Sequence, residues 1–443
     1  TFEARYYFAA KDYELIEGRD WEKSEKGLLK NRVNALEELC KDQGLSEIFD
    51  LSKYCCNCSV LGICCAQTSF ADRIDNEMKK SLLEDDSSML EVACGYYSER
   101  YRRQGESLLQ RPINENWSTQ SSLAFYSALP CNKEVWSAAE AKLKEESHLY
   151  WQKAACCRKV DTVEEAVYIF EQYCSVGRQS DALLFAHYCI EDDVDVDPDI
   201  LLKCLQGYSP DSRRGFETHF VPEICDYIAR KYPTIDLAWQ EFRLFPLFQD
   251  GDESYLLKLL SSNPEFFVAI LSLAYKPHNR VEDQTHEASK DAATRAFEVL
   301  WRWKRVPGLQ DDGEVDKEAF DRWIAMTLEK SRKADRLEVA EITIGSCLFH
   351  APKDQTGLFI NRTIADFLDT NANALRGFAT ESVNSLGAMT VDGTGKTQFS
   401  LAEEYESKAK ELEGIGLLDF AATVREISSG FVREGKDEIE REW

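Results

Sequence analysis

With 443 residues, the chain is long enough for two or three core-sized units, or for one stack of repeats without a single centre. Its net charge of −26 at pH 7 argues against a nucleic-acid partner, because affinity for a phosphate backbone rests on Lys and Arg. A hydrophobic fraction of 44% suits a folded soluble protein, and no apolar run approaches a membrane span, so no membrane partner is expected.

Charged groups interrupt residues 1–16, which leaves no signal peptide, and the opening Thr1 is read as excision from a longer protein. Tyr6, Tyr7, Phe8, Tyr13 and Trp21 are expected to dock an N-terminal segment onto the first repeat. Residues 24–41 read as one helix with Leu28, Leu29, Val33 and Leu36 inward, closed by Gly44. Short helices follow near 45–58, 60–68 and 73–84, and Ser87 is expected to cap a longer one carrying Val92, Ala93, Tyr96 and Tyr97. QRPINEN at 110–116 is a break before a helical pattern resumes over 132–147 through Val135, Trp136, Ala139 and Leu143.

The stretch 161–190 organises the rest. Asp161 followed by Glu164 forms a capping box, and Val163, Ala166, Val167, Phe170 and Cys174 recur at helical spacing. Gly177 ends that helix, and Asp181 opens a second stripe of Ala182, Phe185, Ala186 and Cys189. Neither helix can bury its face alone, so the pair predicts an αα-hairpin stacked between looser copies of itself.

EDDVDVDPD at 191–199 is an acidic loop, with Pro198 starting the next helix and another over 222–232. The run 237–260, with Trp239, Phe242, Phe245 and Phe248, is the expected core. Pro264 begins a strongly apolar helix, and the polar, aperiodic segment 276–290 is the best domain boundary. Helices at 293–303 and 316–332 follow, with Trp301, Trp303 and Trp323 as large anchors. Then come helices at 338–349 and 360–375, a Gly-rich loop at 377–398, a capping box at Ser400 with Glu403, and helices at 401–413 and 417–434. Strand periodicity is almost absent, so the fold class is all-α: stacked αα-hairpins, a TPR/HEAT-like helical-repeat solenoid. The division is 1–145 HEAT-like repeats, 146–275 TPR-like repeats, linker 276–290, and C-terminal helical region 291–443.

Fifteen cysteines, an odd total with Cys347 alone beyond Cys225, are read as reduced thiols in a cytoplasmic protein. Cys55, Cys56, Cys58, Cys64 and Cys65 are dense enough to hold zinc, but fit no two-plus-two pattern; small-residue helix packing is the competing reading. VDGTGKTQ at 391–398 resembles the end of a phosphate-binding loop, but Thr390 stands where the first glycine belongs and no strand precedes it. LQDDGEVDKEAF at 309–320 surrounds Gly313 with acids without the register of a calcium loop. The basic clusters RYRRQGE, around Arg102 and Arg103, and WRWKRVPG at 301–308 read as helix ends with Arg stems packed on aromatics. Of the six histidines only His278 and His286 lie close in sequence, and neither has a Cys or Ser beside it in a recognised nucleophile context, so no catalytic residue, metal or cofactor is assigned.

EVWSAAEAKLKEESHLYW, the hairpin AVYIFEQYCSVGRQSDALLFAHY, NPEFFVAILSLAYKP, RAFEVLWRWKRVPG and RLEVAEITIGSCLFHAP together resemble the C-terminal helical-repeat region of large bacterial multidomain proteins, over about residues 24–434. Such regions are similar to the sensor arms of STAND-type antiviral NTPases, in which an effector and an ATPase precede TPR-like or HEAT-like repeats. The resemblance implies recognition of a foreign protein, or maintenance of an autoinhibited state. Where that group has an Asn-Ser-Arg-Gly type turn, this chain has Asn384, Ser385, Leu386 and Gly387, without the arginine. The expected function is therefore a non-enzymatic recognition module whose partner is a phage or host protein, or another domain of its own assembly. Its expected binding residues are Gln179, His187, Trp239, Arg376, Asn384 and Lys396. The alternatives are a scaffold or regulatory subunit, and an enzyme using the Cys55 to Cys65 cluster.

Overall fold

The structure, a computed structural model, describes residues 21–84, 86–210, 217–249, 254–278, 290–355, 357–387 and 393–440. Tyr6, Tyr7, Phe8 and Tyr13, expected to dock on the first repeat, lie outside the described residues, as do 279–289 of the expected linker. The described residues are all-α, with one isolated β-bridge between Leu309 and Val315. The chain divides into two compact units, Thr1–Arg214 and Gly215–Trp443, so the break at 276–290 falls inside the second.

The first unit runs α1 (Trp21–Gln43), α2 (Ser46–Leu51), α3 (Cys58–Cys65), α4 (Ala71–Ser81), α5 (Ser87–Gln104), the short turns α6 (Glu106–Leu109) and α7 (Arg111–Asn114), α8 (Thr119–Ser127), α9 (Lys133–Leu143), α10 (Ser147–Lys153), α11 (Val163–Ser175), α12 (Gln179–Glu191) and α13 (Pro198–Gly207). The expected break at 110–116 is thus partly helical. Polar caps set the starts: Asp86 rather than Ser87 accepts from the Ser88 and Met89 N–H groups, and Asn132 and Asp197 cap α9 and α13.

The hairpin α11–α12 forms where expected, with its cap displaced by one residue. Thr162 Oγ1 accepts from Glu165 N, and Glu165 Oε2 accepts from Asp161 N at 3.2 Å. Its buried face is correspondingly Ala166, Ile169, Phe170 and Tyr173, while Val163 is exposed. Gly177, at φ +77°, turns the chain, and Arg178 N donates to Tyr173 O at 2.8 Å. On α12, Ala182, Phe185, Ala186 and Cys189 are all buried.

The tightest contact in this unit joins α3 to α5. A Cβ on Gly62 would fall far closer than 3.0 Å to Val92 O, and one on Gly95 far closer than that to Ser59 O. Only hydrogen at both positions lets the two backbones approach this closely. Beneath this pair, Asp75 of α4 is buried and takes a bidentate hydrogen bond from Arg111 at 2.9 and 2.8 Å, with Tyr96 Oη donating at 3.2 Å. One pair of cysteines departs from the expected reduced state: Cys131 and Cys157, in turns flanking α9 and α10, form a disulfide with Cα atoms 4.8 Å apart. The other cysteines are free.

The second unit runs α14 (Glu217–Lys231), α15 (Ile235–Leu244), α16 (Tyr255–Leu260), α17 (Pro264–Ala274), α18 (Lys290–Arg302), α19 (Lys317–Lys333), α20 (Leu337–Leu348), α21 (Arg362–Asp369), α22 (Ala372–Asn384), α23 (Lys396–Gly414) and α24 (Leu418–Glu440). One continuous core links Phe242 and Phe245 through Phe267, Trp303 and Trp323 to Ile364, Phe378, Phe420 and Phe431. Glu241 lies within it, 1% exposed, accepting from Ser254 Oγ at 2.7 Å and from the N–H groups of Leu256 and Tyr255 at 2.5 and 3.3 Å. It therefore caps α16 from a different helix.

The C-terminal third departs from expectation in three places. The expected helix 360–375 is two, divided where Asn371 caps α22. α22 then continues through Gly377 to Asn384, so most of the expected loop start is helix. Gly377 is no hinge: a Cβ there would collide with Ile342 O, and one on Gly345 with Ala374 O, so α20 and α22 are locked as α3 and α5 are. Finally, α23 begins at Lys396 behind left-handed Gly395, so Ser400 is interior and caps nothing.

Candidate interaction surface

The residues expected to bind a partner fall into separate groups. Gln179 and His187 lie on α12; the Gln179 side chain packs against the Gly207 backbone, and His187 Nε2 is 3.5 Å from Glu191 Oε1. Trp239 on α15 is half-buried, edge-on to Phe242 and Phe266 at ring distances of 5.6 and 5.1 Å, which makes it a margin of the core. Arg376 and Asn384 are exposed on α22, with Arg376 Nη2 2.7 Å from Glu338 Oε1. Lys396 is exposed at the first residue of α23.

The chemical look-alikes resolve into packing. Asn57 caps α3 through Val60 N, and Cys58, Cys64 and Cys65 are buried within that helix. Burial pushes the Cys55 and Cys64 thiols up to about 12 and raises Cys58 and Cys65 as well, the opposite of what a nucleophile or metal ligand needs. No group of three metal-ligating side chains occurs among the described residues. At the phosphate-loop look-alike, Gly393 N donates to Glu438 Oε1 at 3.0 Å, so a carboxylate holds a position a phosphate would need. In the calcium-loop look-alike, Asp312 accepts from Glu314 N and Asp316 caps α19. Elsewhere, the Cys174 and Cys204 sulfurs lie 3.3 Å apart, and the hydrogen bond from Cys204 lowers the Cys174 thiol while its own is raised. Burial also lowers His350, although its Nε2 is 3.0 Å from Glu381 Oε1.

What the second unit does present is an aromatic face. Phe297 and Trp301, one turn apart on α18, are 54% and 59% exposed, while Ala296, Val299 and Leu300 bury the opposite side. Trp301 is expected as an anchor beside Trp303, but it sits on the outer face of the last turn of α18, whereas Trp303 lies just past the helix end and is the buried one of the two. The Phe297 ring meets Tyr275 edge-on at 6.3 Å. Tyr275 in turn lines a cleft of about 540 Å³ with His278, Arg332, Arg336, Glu338 and Asn373. Arg336 pins it by donating to Tyr275 O at 2.8 Å, and His278 N donates to Asp335 O at 3.0 Å. Arg376, through Glu338, is the one residue named from the sequence that reaches this rim.

Such an arrangement suits recognition of a protein segment: rigid aromatic surface beside a polar cleft, with charged side chains of both signs around it. The signal for Phe297 and Trp301 was present in the sequence as two aromatics off the apolar stripe of α18, masked by the abundance of buried tryptophans around them. No helix among the described residues is long and apolar enough to cross a membrane. No protein-family model, characterised protein or solved structure significantly matches the chain.

Proposed function

We propose that this chain is a non-enzymatic protein-recognition module that holds its partner through Phe297 and Trp301, with the Tyr275 cleft taking an adjoining polar segment. The observation that carries the reading is the exposure of those two large rings on one helix face. Exposed aromatic anchors contribute most of the affinity in many protein interfaces. The resemblance to antiviral sensor arms supplies the setting: TPR-like or HEAT-like repeats of a larger bacterial defence protein, with a phage or host protein, or a neighbouring domain, as partner. A cytoplasmic location belongs to the same proposal and is supported by the free thiols outside the Cys131–Cys157 pair. A thiol- or metal-dependent enzyme at the Cys55 to Cys65 cluster draws no support from raised, buried thiols.

The test is a binding panel of phage and host proteins probed with wild type and with the Phe297→Ala/Trp301→Ala double variant. A partner retained by the first and lost by the second, at unchanged melting temperature, supports the proposal. A partner held equally by both removes the aromatic face from it.

A further inference from the structure

We infer that the second unit also carries a binding site for a small phosphate monoester, in a cleft walled by the end of α16, the start of α17, the first turns of α19 and the loop 303–310. The cleft measures about 380 Å³, a size typical of small-ligand sites. Its lining includes Lys258, Arg305 and Arg322 and not one carboxylate. The chain as a whole has 79 acidic against 53 basic residues, so a concave wall that carries two arginines and no acid runs against its composition. Gathering like charges costs free energy that an anionic ligand would recover.

The two arginines are not consumed by structure. Arg322, exposed on α19, has no hydrogen-bond or ion-pair partner among the described residues. Arg305 reaches Leu309 O at 3.3 Å, and its nearest acid is Asp311 at 3.8 Å, whose side chain is fully solvated and holds it weakly. The other Arg of this segment, Arg302, stacks on Phe245 and donates to Phe248 O, the packing role expected for the cluster; Arg305 departs from that role.

The backbone that carries Arg305 is fixed in advance. Its carbonyl accepts from the buried Ser261 hydroxyl at 2.6 Å and from the Cys347 thiol at 3.4 Å, and Trp303 Nε1 donates to the same hydroxyl at 2.8 Å. Gly308, at φ +78°, closes the loop: a Cβ there would lie 2.8 Å from Asp316 O. Preorganisation of this kind lowers the entropy lost on binding.

The ligand class follows from the wall chemistry. A phosphate monoester carries close to two negative charges at neutral pH, and its oxygens match forked guanidinium groups. Ser262 and Gln310 add a hydroxyl and an amide, while Val306, Leu309 and Met326 offer an apolar floor for the body of the molecule. An ester with an aromatic or aliphatic body therefore fits better than the bare ion.

Isothermal titration of the whole chain with phenyl phosphate, inorganic phosphate and phenol tests the assignment. Phenyl phosphate is expected to bind at least about threefold tighter than inorganic phosphate, phenol not at all, and Arg322→Glu to weaken phenyl phosphate by about tenfold or more. Arg305→Gln should do the same; because Arg305 also bonds its own loop, Arg322→Glu is the decisive variant, and its melting temperature should equal that of wild type. Absence of heat with phenyl phosphate, equal affinity for the bare ion, or unchanged affinity in Arg322→Glu overturns the inference.

Discussion

The α3–α5 pair of the first unit and the α20–α22 pair of the second are built alike and surrounded differently. Each places a glycine of one helix on a carbonyl of the other, reciprocally: Gly62 with Gly95, and Gly345 with Gly377. Each has Cys two residues after the first glycine, Cys64 or Cys347, and an aromatic directly after the second, Tyr96 or Phe378, all buried. The polar neighbours diverge. Beside the first pair, Asp75 is held by Arg111; across the second, Glu381 meets the half-buried His350. Steric contact between backbones dictates the residue, whereas electrostatics around it can be solved more than one way.

The largest expected effect tests the shared part. Gly62→Ala and Gly377→Ala should each destabilise their unit by about 3 kcal/mol or more, because the methyl group has no room and a carbonyl cannot yield. Gly430→Ala, with nothing within 4 Å, is the control and should be neutral or stabilising by up to about 1 kcal/mol. Thermal melts of the three variants decide it, and a harmless Gly377→Ala would break the likeness between the pairs.

The next effect separates the polar solutions. Arg111→Ala strands a buried Asp75 but removes a partly exposed guanidinium, and should cost about 2–3 kcal/mol. Glu381→Gln keeps a hydrogen-bond partner for a His350 whose protonation burial disfavours, and should cost only about 1 kcal/mol. Urea titrations that gave equal losses would argue that the two surroundings are equivalent after all.

Glu241 extends the contrast to a buried carboxylate held by a hydroxyl and two backbone N–H groups. Burial lifts its carboxyl to about 7. Its folded value exceeds the ordinary 4.5, so the native state binds this proton more tightly than the unfolded chain. Stability from this group is thus greatest below about pH 4.5 and declines as pH rises to about 7, by about 3 kcal/mol in all. Hydrogen exchange across α15 and α16 should record that slope in wild type and a flat profile in Glu241→Gln. The smallest effect concerns Arg376, whose pair with Glu338 is more than half exposed; Arg376→Ala should change stability by less than about 0.5 kcal/mol, measured by thermal melt.

Local signals carried the fold a long way. Apolar spacing placed the 161–190 hairpin, and Pro198, Pro264 and Asp316 marked helix starts that the structure reproduces. Where the reading failed, the deciding force was tertiary. Gly377 looks like the opening of a loop because glycine weakens helices, and only the presence of Ile342 O against it explains why a helix continues. The cap at Thr162 and the rotated face of α11 differ from expectation by one residue, a shift that a 100° step per residue turns into a change of face. Of the candidate site, Arg376 was legible; Phe297 and Trp301 stand off the apolar stripe of α18, but whether a ring so placed is exposed depends on which neighbours cover it, and sequence does not record that.

The position of Glu241 bears on the order in which the second unit assembles. α16 has six residues, too few to hold together in water without help, and its first turn is completed by a carboxylate that belongs to α15. The segment is therefore expected to become helical with the docking of α15 and to fray as soon as that helix leaves. In a refolding time course its amides would gain protection together with those of its neighbour, and not before them.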